Sequence, residues 1–331
     1  MKRIVSAWVL ALALVSQVGA APPALTAADK AAIAQANKFI ERGNEFAGKD
    51  SLARAKAEYL RGLKVFPQHV DALYNIAVVC TRLGQRAEAV GYYQQYLAVQ
   101  PESADVWTQL GVLHDEAGET AEALVAYTKA LAINPQFGRA QHNLGVLYSD
   151  RGEWGLAEKY LRQFIEGEEA AGRHTGEAYY SLGLLYLKRL QSKNARVQLQ
   201  RALDADPSSA LFNNALGDAY LLEKDSKVAQ VYYQKAIAND GKFALAYSGL
   251  GDSYHQLGQV EEAAKQYRRA LELRPDYPIV HYKLGLLFET ARPAEAIKHF
   301  EKYLQSGKNL ALEAEAREKL AKLKTVVPTK N

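Results

Sequence analysis

Apolar positions along the chain recur at helical spacing, in short blocks that come in pairs. Between Ala104 and Phe137, the residues Val106, Trp107, Leu110, Leu113 and His114 fall on one face of a helix. Gly118-Glu119 interrupts the pattern, and Ala123, Tyr127, Ala130 and Leu131 then mark a second helical stripe. Asn134-Pro135 ends it, because proline removes a donor and restricts the residue before it. The block predicts a helix pair.

The pair is repeated. Pro67, Pro101 and Pro135 stand 34 residues apart, as do Gly111 and Gly145, and again Gly183, Gly217, Gly251 and Gly285. Both registers share one slip of four residues, between Gly145 and Gly183 and between Pro135 and Pro207. A fixed period of this size signals an array of one supersecondary unit. Gly111 allows a close approach of neighbouring backbones, with Ala123 as its expected small partner, while Tyr127 fills the space between pairs. Tyr59, Tyr93, Tyr233 and Tyr267 take the same place in their blocks, and Leu161, Leu199 and Phe300 substitute for it elsewhere.

The pattern Trp107-x2-Leu110-Gly111, Ala123-x3-Tyr127-x2-Ala130 and Pro135 resembles the tetratricopeptide repeat, with His114 departing at an expected tyrosine. Eight repeats are read: 36–69, 70–103, 104–137, 138–175, 176–209, 210–243, 244–277 and 278–310. The resemblance implies an all-α fold, a right-handed α-solenoid of helix-turn-helix units. Repeat four carries four extra residues near 166–172 and lacks a terminal proline, repeat six has Gly241 in that place, and repeat eight is one residue short near Pro293. The insertion predicts a longer second helix. The ends require caps, since a terminal repeat would otherwise expose its stacking face. Residues 21–35 predict a lead-in helix capped at Thr26-Ala27-Ala28-Asp29, and 311–331 a C-terminal capping helix and tail. In that helix Glu313/Arg317, Glu315/Lys319 and Glu318/Lys322 have the favourable acid-first spacing.

Residues 1–20 read as a secretory signal peptide: Met1-Lys2-Arg3 is basic, the following run is apolar, and Val18-Gly19-Ala20 offers a small-residue cut before Ala21. Its loss lowers the net charge from +4 to +2, which gives no electrostatic argument for nucleic acid or an anionic membrane. No later stretch approaches a membrane-spanning length, so an exported, periplasmic protein is expected with no integral membrane segment in the mature chain. The single Cys80 excludes an internal disulfide and a cysteine-rich metal site, and its place on the core side of its helix makes it a small buried hydrophobe. The seven histidines are dispersed, with no i,i+4 pair. No phosphate loop, dinucleotide fingerprint, zinc-protease motif or nucleophile elbow is present. No catalytic, metal or cofactor site is expected.

In proteins resembling this one, the first helix of each repeat lines a concave groove, mainly through repeat positions 2, 5, 9, 12 and 13. The candidate partner-binding residues on these positions are Tyr74, Val78 and Arg82, then Val112 and Asp115, then His142 and Val146. Tyr180, Leu184 and Lys188 follow in repeat five, and Asn214 and Asp218 in repeat six. Position 9 is apolar in five of the eight repeats, which reads as half-exposed packing residue by residue and as an apolar groove in a run. The five positions together hold nine acids and three bases, a count of −6. The expected partner is therefore a peptide or protein segment with apolar anchors and some basic character. The carboxylate clamp of chaperone-binding relatives is missing: Asn44 and Asn75 match its asparagines, but Ile40, Asp105 and Gln109 replace its cations.

The function expected is that of a non-catalytic periplasmic scaffold or adaptor in cell-envelope assembly, secretion, or pilus or cytochrome biogenesis. The alternative is a polysaccharide- or peptidoglycan-binding protein using Tyr74, Tyr180 and Tyr282, which are widely spaced along the chain. Expressed in a Gram-negative host, the protein is expected in the periplasmic fraction with Ala21 as its first residue by N-terminal sequencing. Retention of Met1 on the fractionated protein would contradict this.

Overall fold

A computed structural model describes residues 26–173, 175–306 and 312–326. The signal segment and the closing tail lie outside the described residues, which hold seventeen α-helices and no strand. They fall into two compact bodies, the chain dividing between Glu119 and Thr120. The first contains α1 (Ala27–Gly48), α2 (Leu52–Val65), α3 (Val70–Arg82), α4 (Arg86–Val99) and α5 (Ala104–Glu116). The second runs through α6 (Thr120–Ile133), α7 (Gly138–Asp150), α8 (Trp154–Ala170), α9 (Gly176–Lys188), α10 (Ser192–Ala205) and α11 (Ala210–Leu222). It continues through α12 (Ser226–Asn239), α13 (Ala244–Gln256), α14 (Val260–Leu273), α15 (Pro278–Phe288), α16 (Pro293–Gln305) and α17 (Glu313–Val326).

Within each body the helices pack as hairpins, α1 on α2 and α3 on α4, then α7 on α8 through α15 on α16. The second helix of one repeat packs on the first helix of the next. First helices also touch one another, as α7 with α9, α9 with α11 and α11 with α13, whereas second helices make no comparable contact. The first helices therefore form the inner row of each stack. Helix α1 carries the lead-in and the first repeat as one element, and Thr26 and Asp29 close a reciprocal capping box at its start. Helix α8 has 17 residues against 14 in the second helices α10, α12 and α14.

One contact recurs in six of the hairpins, repeat two having Ala77 in the glycine's place. A Cβ added at Gly217 would lie 2.7 Å from the ring of Tyr233, and one at Gly251 would lie 2.6 Å from that of Tyr267. Gly43 faces Tyr59 in the same way, Gly285 faces Phe300, and Gly145 and Gly183 face Leu161 and Leu199. The glycine thus exists for the bulky residue at position 24 of its own repeat, and not chiefly for the small residue at position 20. Tyr233 reaches further, since its ring also lies against Gly249 of the following repeat. Tyr59, Tyr233 and Tyr267 are buried, and each hydroxyl donates to the residue at position 9, namely Asn44, Asp218 and Asp252, at 2.6–2.7 Å.

The turn inside each hairpin uses a left-handed residue at position 15. Gly84, Gly118, Gly152 and Gly258 supply it with φ of 71–75°, but so do Asp50, Leu190 and Lys224 with φ of 55–63°. The next residue's N–H then bonds the carbonyl five back, as Gln85 to Cys80 at 2.8 Å and Gln191 to Tyr186 at 2.9 Å. Only glycine takes this conformation without crowding its Cβ. In repeat eight the missing residue removes the left-handed step, and Arg292 sits at φ −140° before Pro293 opens α16.

Helix α17 packs on α16 and buries Ala316 and Leu323. Glu313–Arg317 and Glu318–Lys322 form at 2.7 and 2.5 Å. The expected Glu315/Lys319 pair does not: Lys319 instead reaches Glu289 at the end of α15, at 2.8 Å. That acid ends a helix of the last repeat, so the pair ties the cap to the array.

Two substitutions separate these constraints. Gly251→Ala is expected to destabilise the protein by about 1–3 kcal/mol, because the ring it strikes is fully buried and cannot retreat. Leu190→Gly, at a position 73% exposed, is expected to stabilise it by about 1 kcal/mol. Urea denaturation of both variants against the wild type measures the two signs.

Candidate functional site

In the first body, Tyr74, Val78 and Arg82 lie one turn apart on α3. Tyr74 is half-buried, donates to Asp105 Oδ2 at 2.9 Å and meets the rings of Tyr93 and Tyr96 at 6.2 and 6.0 Å. Val78 and Val112 are half-buried, while Asp115 is exposed. Arg82 pairs with Asp50 of the preceding repeat at 2.8 Å. Asn44 accepts from both Tyr59 and Asn75, at 2.7 and 3.0 Å.

In the second body, His142 on α7 shares a 2.8 Å hydrogen bond with Ser181 on α9 and lies 4.9 Å from the Phe164 ring. Burial pushes its pKa down. Val146, Tyr180 and Leu184 pack on the core around Leu182 and Leu216, yet each keeps part of its surface open. The Tyr180 ring stands 5.2 Å from Phe212, and burial followed by the nearby Asp218 charge raises its hydroxyl to about 12. Lys188 pairs with Asp150 of the preceding repeat at 2.6 Å. The structure brings Tyr180, Asn214 and Asp218 into one neighbourhood, with Asn214 Nδ2 donating to Asp218 Oδ2 at 3.2 Å. Asn214 itself is 8% exposed, more deeply set than a groove-lining residue need be. Tyr282 is 5% exposed, so it offers no ring to a sugar beside Tyr180.

The charge count over five repeat positions overstates the acidity of the inner row. Lys283 and Lys319 fall outside those positions, and they pair with Asp252 and Glu289 at 2.6 and 2.8 Å. Asp150 is matched by Lys188. Counting by position missed the lysines because their repeat partners lie on the neighbouring unit. The signal that finds Lys283 is position 6, whose side chain reaches back to the previous repeat in Asn75, Ser181 and Lys283, whereas Lys319 lies on the cap, outside the repeats.

Asp218 differs from its counterparts. It is half-buried, takes the Tyr233 hydroxyl at 2.6 Å and has no cation in hydrogen-bond contact. Burial raises its pKa to about 6; the Tyr233 hydrogen bond opposes this, the Asp252 charge adds to it, and the Lys283 charge, not in hydrogen-bond contact, offsets part of it. Cys80 is fully buried, and burial pushes its thiol up. Among the described residues, no group of three His, Cys, Asp or Glu side chains is placed to hold a metal ion, and no helix is long and apolar enough to cross a membrane.

Stacked helix hairpins with a partly open apolar inner row define a helical-repeat protein. Tetratricopeptide-repeat family patterns match residues 72–105, 104–137, 138–173, 180–242 and 251–290, and the chain belongs to the tetratricopeptide repeat family. It is 35% identical over 139 residues to the type IV pilus assembly protein PilF of Pseudomonas aeruginosa, covering 40% of this chain and 54% of that protein. The chain thus spans about half the length of that curated relative. Its fold is similar to a tetratricopeptide repeat protein from Parabacteroides merdae, with TM-score 0.63 and 20% identity over 77% of this chain and 99% of that one. It is also similar to PilW, a type IV pilus biogenesis factor, with TM-score 0.54 and 22% identity over 62% of this chain and 93% of that one. These two structural likenesses concern the fold alone.

Asp218 sets a pH-dependent cost on stability. Its folded pKa lies above the ordinary 3.8, so the folded state binds the extra proton, and stability falls as pH rises from 3.8 through about 6. Asp218→Asn keeps an acceptor for Tyr233, as Asn44 does for Tyr59. The variant is expected to be more stable than the wild type at pH 7.5 by on the order of 2 kcal/mol, with the difference vanishing below the ordinary carboxylate pKa. Denaturation curves of both proteins at the two pH values measure it, and the wild-type comparison cancels titrations elsewhere.

Proposed function

We propose that this protein is a non-catalytic adaptor of the cell envelope, exported to the periplasm, whose repeats hold an extended peptide or protein segment along the inner row of first helices. The observation that carries this reading is the half-open apolar set Val146, Tyr180 and Leu184, which belongs to successive repeats of one body. Side chains of this kind, held by core packing on one side, give a preformed surface that a flexible segment can bind without ordering the receptor. The likeness to the type IV pilus assembly protein PilF supports a place in envelope assembly. We assign the contacts to Tyr74, Val78 and Val112 in the first body, and to His142, Val146, Tyr180, Leu184, Asn214 and Asp218 in the second. Arg82 and Lys188, each already paired within the stack, contribute as rim charges. Partners with apolar anchors and a basic residue suit this surface.

Two sets of extended apolar peptides, one of net positive and one of net negative charge, test the proposal by fluorescence anisotropy at low and moderate salt. The positive set is expected to bind more tightly and to weaken with salt, and a Tyr180→Ala/Leu184→Ala variant to lose at least tenfold in affinity. Tighter binding of the negative set, or an unaffected variant, would overturn it.

A further inference from the structure

In repeats two, five and eight, position 6 reaches back to position 5 or 9 of the repeat before it. Asn75 donates to Asn44 at 3.0 Å, and Ser181 meets His142 at 2.8 Å. Lys283 makes the fullest contact: its Nζ lies 3.0 Å from Ser248 Oγ at position 5 and 2.6 Å from Asp252 Oδ2 at position 9. An internal ammonium group thus bridges the two inner-row positions of repeat seven.

Repeat six presents a similar acceptor set without the ammonium. Position 5 is Asn214 and position 9 is Asp218, and the following repeat has Gly249 at position 6. No side chain fits there, because a Cβ on Gly249 would strike the buried Tyr233 ring. Asp218 therefore holds only the Tyr233 hydroxyl at 2.6 Å and the Asn214 amide at 3.2 Å, both neutral donors. A carboxylate only accepts, so Asn214 turns its amino group toward it. The other end of that amide, Asn214 Oδ1, is buried and accepts no hydrogen bond, although its residue is only 8% exposed. A buried acceptor left without a donor costs about 1–3 kcal/mol, and Asp218 keeps part of its surface open beside it.

We infer that Asn214 and Asp218 form a binding site for a primary ammonium group, supplied by a lysine side chain of the partner segment. The lysine would do for repeat six what Lys283 does for repeat seven, with Asp218 as the charged acceptor and Asn214 Oδ1 as the neutral one. Tyr180, whose hydroxyl feels the Asp218 charge, borders the site on the side of repeat five. The choice of a lysine as the source of the ammonium rests on the groove reading proposed above; the ammonium site itself does not.

The test uses the full mature chain and n-butylammonium as the probe, followed through the backbone amide resonances of Gly217 and Ala219 beside Asp218 by NMR. Tetramethylammonium, of equal charge but without N–H donors, is the control. A saturable shift with n-butylammonium alone is expected, weakened at least tenfold in Asp218→Asn and about threefold or more in Asn214→Ala. Thermal melting establishes that both variants are folded. No shift, an equal response to tetramethylammonium, or unchanged affinity in Asp218→Asn would overturn the site. The source is then tested with an N-acetylated apolar peptide carrying one lysine and its norleucine counterpart with a free amino terminus. Tenfold tighter binding of the lysine peptide is expected, and preference for the free terminus would overturn the assignment to lysine. If neither peptide binds while n-butylammonium does, the peptide-groove reading fails and the ammonium site stands.

Discussion

The ring of Tyr233 lies against the backbone of Gly217 in its own repeat and of Gly249 in the next, and this ring-on-glycine contact is the constraint on which the array depends. A fully buried tyrosine ring supplies on the order of 2 kcal/mol of apolar stabilisation, and the missing Cβ is what admits it. The contact fixes the spacing of the hairpin internally and sets how closely the next hairpin approaches. Its repetition at Gly43, Gly251 and Gly285 makes these repeats carry their own packing solution. Because second helices do not contact one another as first helices do, the same solution repeated puts the first helices on the inner row. A binding surface follows from packing rather than from any element added to it.

Burying a tyrosine leaves its hydroxyl to be satisfied, and position 9 does this in repeats one, six and seven. Where position 24 is leucine, as at Leu161 and Leu199, position 9 is apolar, as at Val146 and Leu184. The composition of the inner row is thus partly dictated from the outer helices. It is polar beneath several tyrosines and apolar beneath leucines, which gives the surface its alternation of anchors and acceptors.

The repeat period and the helix pairs were legible in the sequence because proline and glycine are placed by backbone geometry, which a periodicity reports directly. The left-handed turns at Asp50, Leu190 and Lys224 were not, since those residues carry no conformational signature and only alignment to Gly84 or Gly258 reveals them. Of the inner row, the identities Tyr180, Leu184, Asn214 and Asp218 could be read by position. Their energetic states could not. That Lys188 and Lys283 are spent on Asp150 and Asp252 depends on contacts between repeats, and the deep burial of Asn214 depends on packing from its neighbours.

Asp218 shows how the two layers conflict. The tyrosine beneath it needs an acceptor but no charge, as Asn44 demonstrates for Tyr59. The glycine that admits the Tyr233 ring at position 249 also leaves position 6 of the next repeat without a side chain to neutralise that charge. The fold could relieve the conflict with asparagine, or avoid it with the valine used at positions 78, 112 and 146. It retains a carboxylate that burial disfavours, next to an amide oxygen with no donor. Buried acceptors without a donor stand elsewhere in the stack, as at Gln141 Oε1 and Asn213 Oδ1, but here one lies next to a carboxylate held by neutral donors, and that pairing is what suits an external ammonium group.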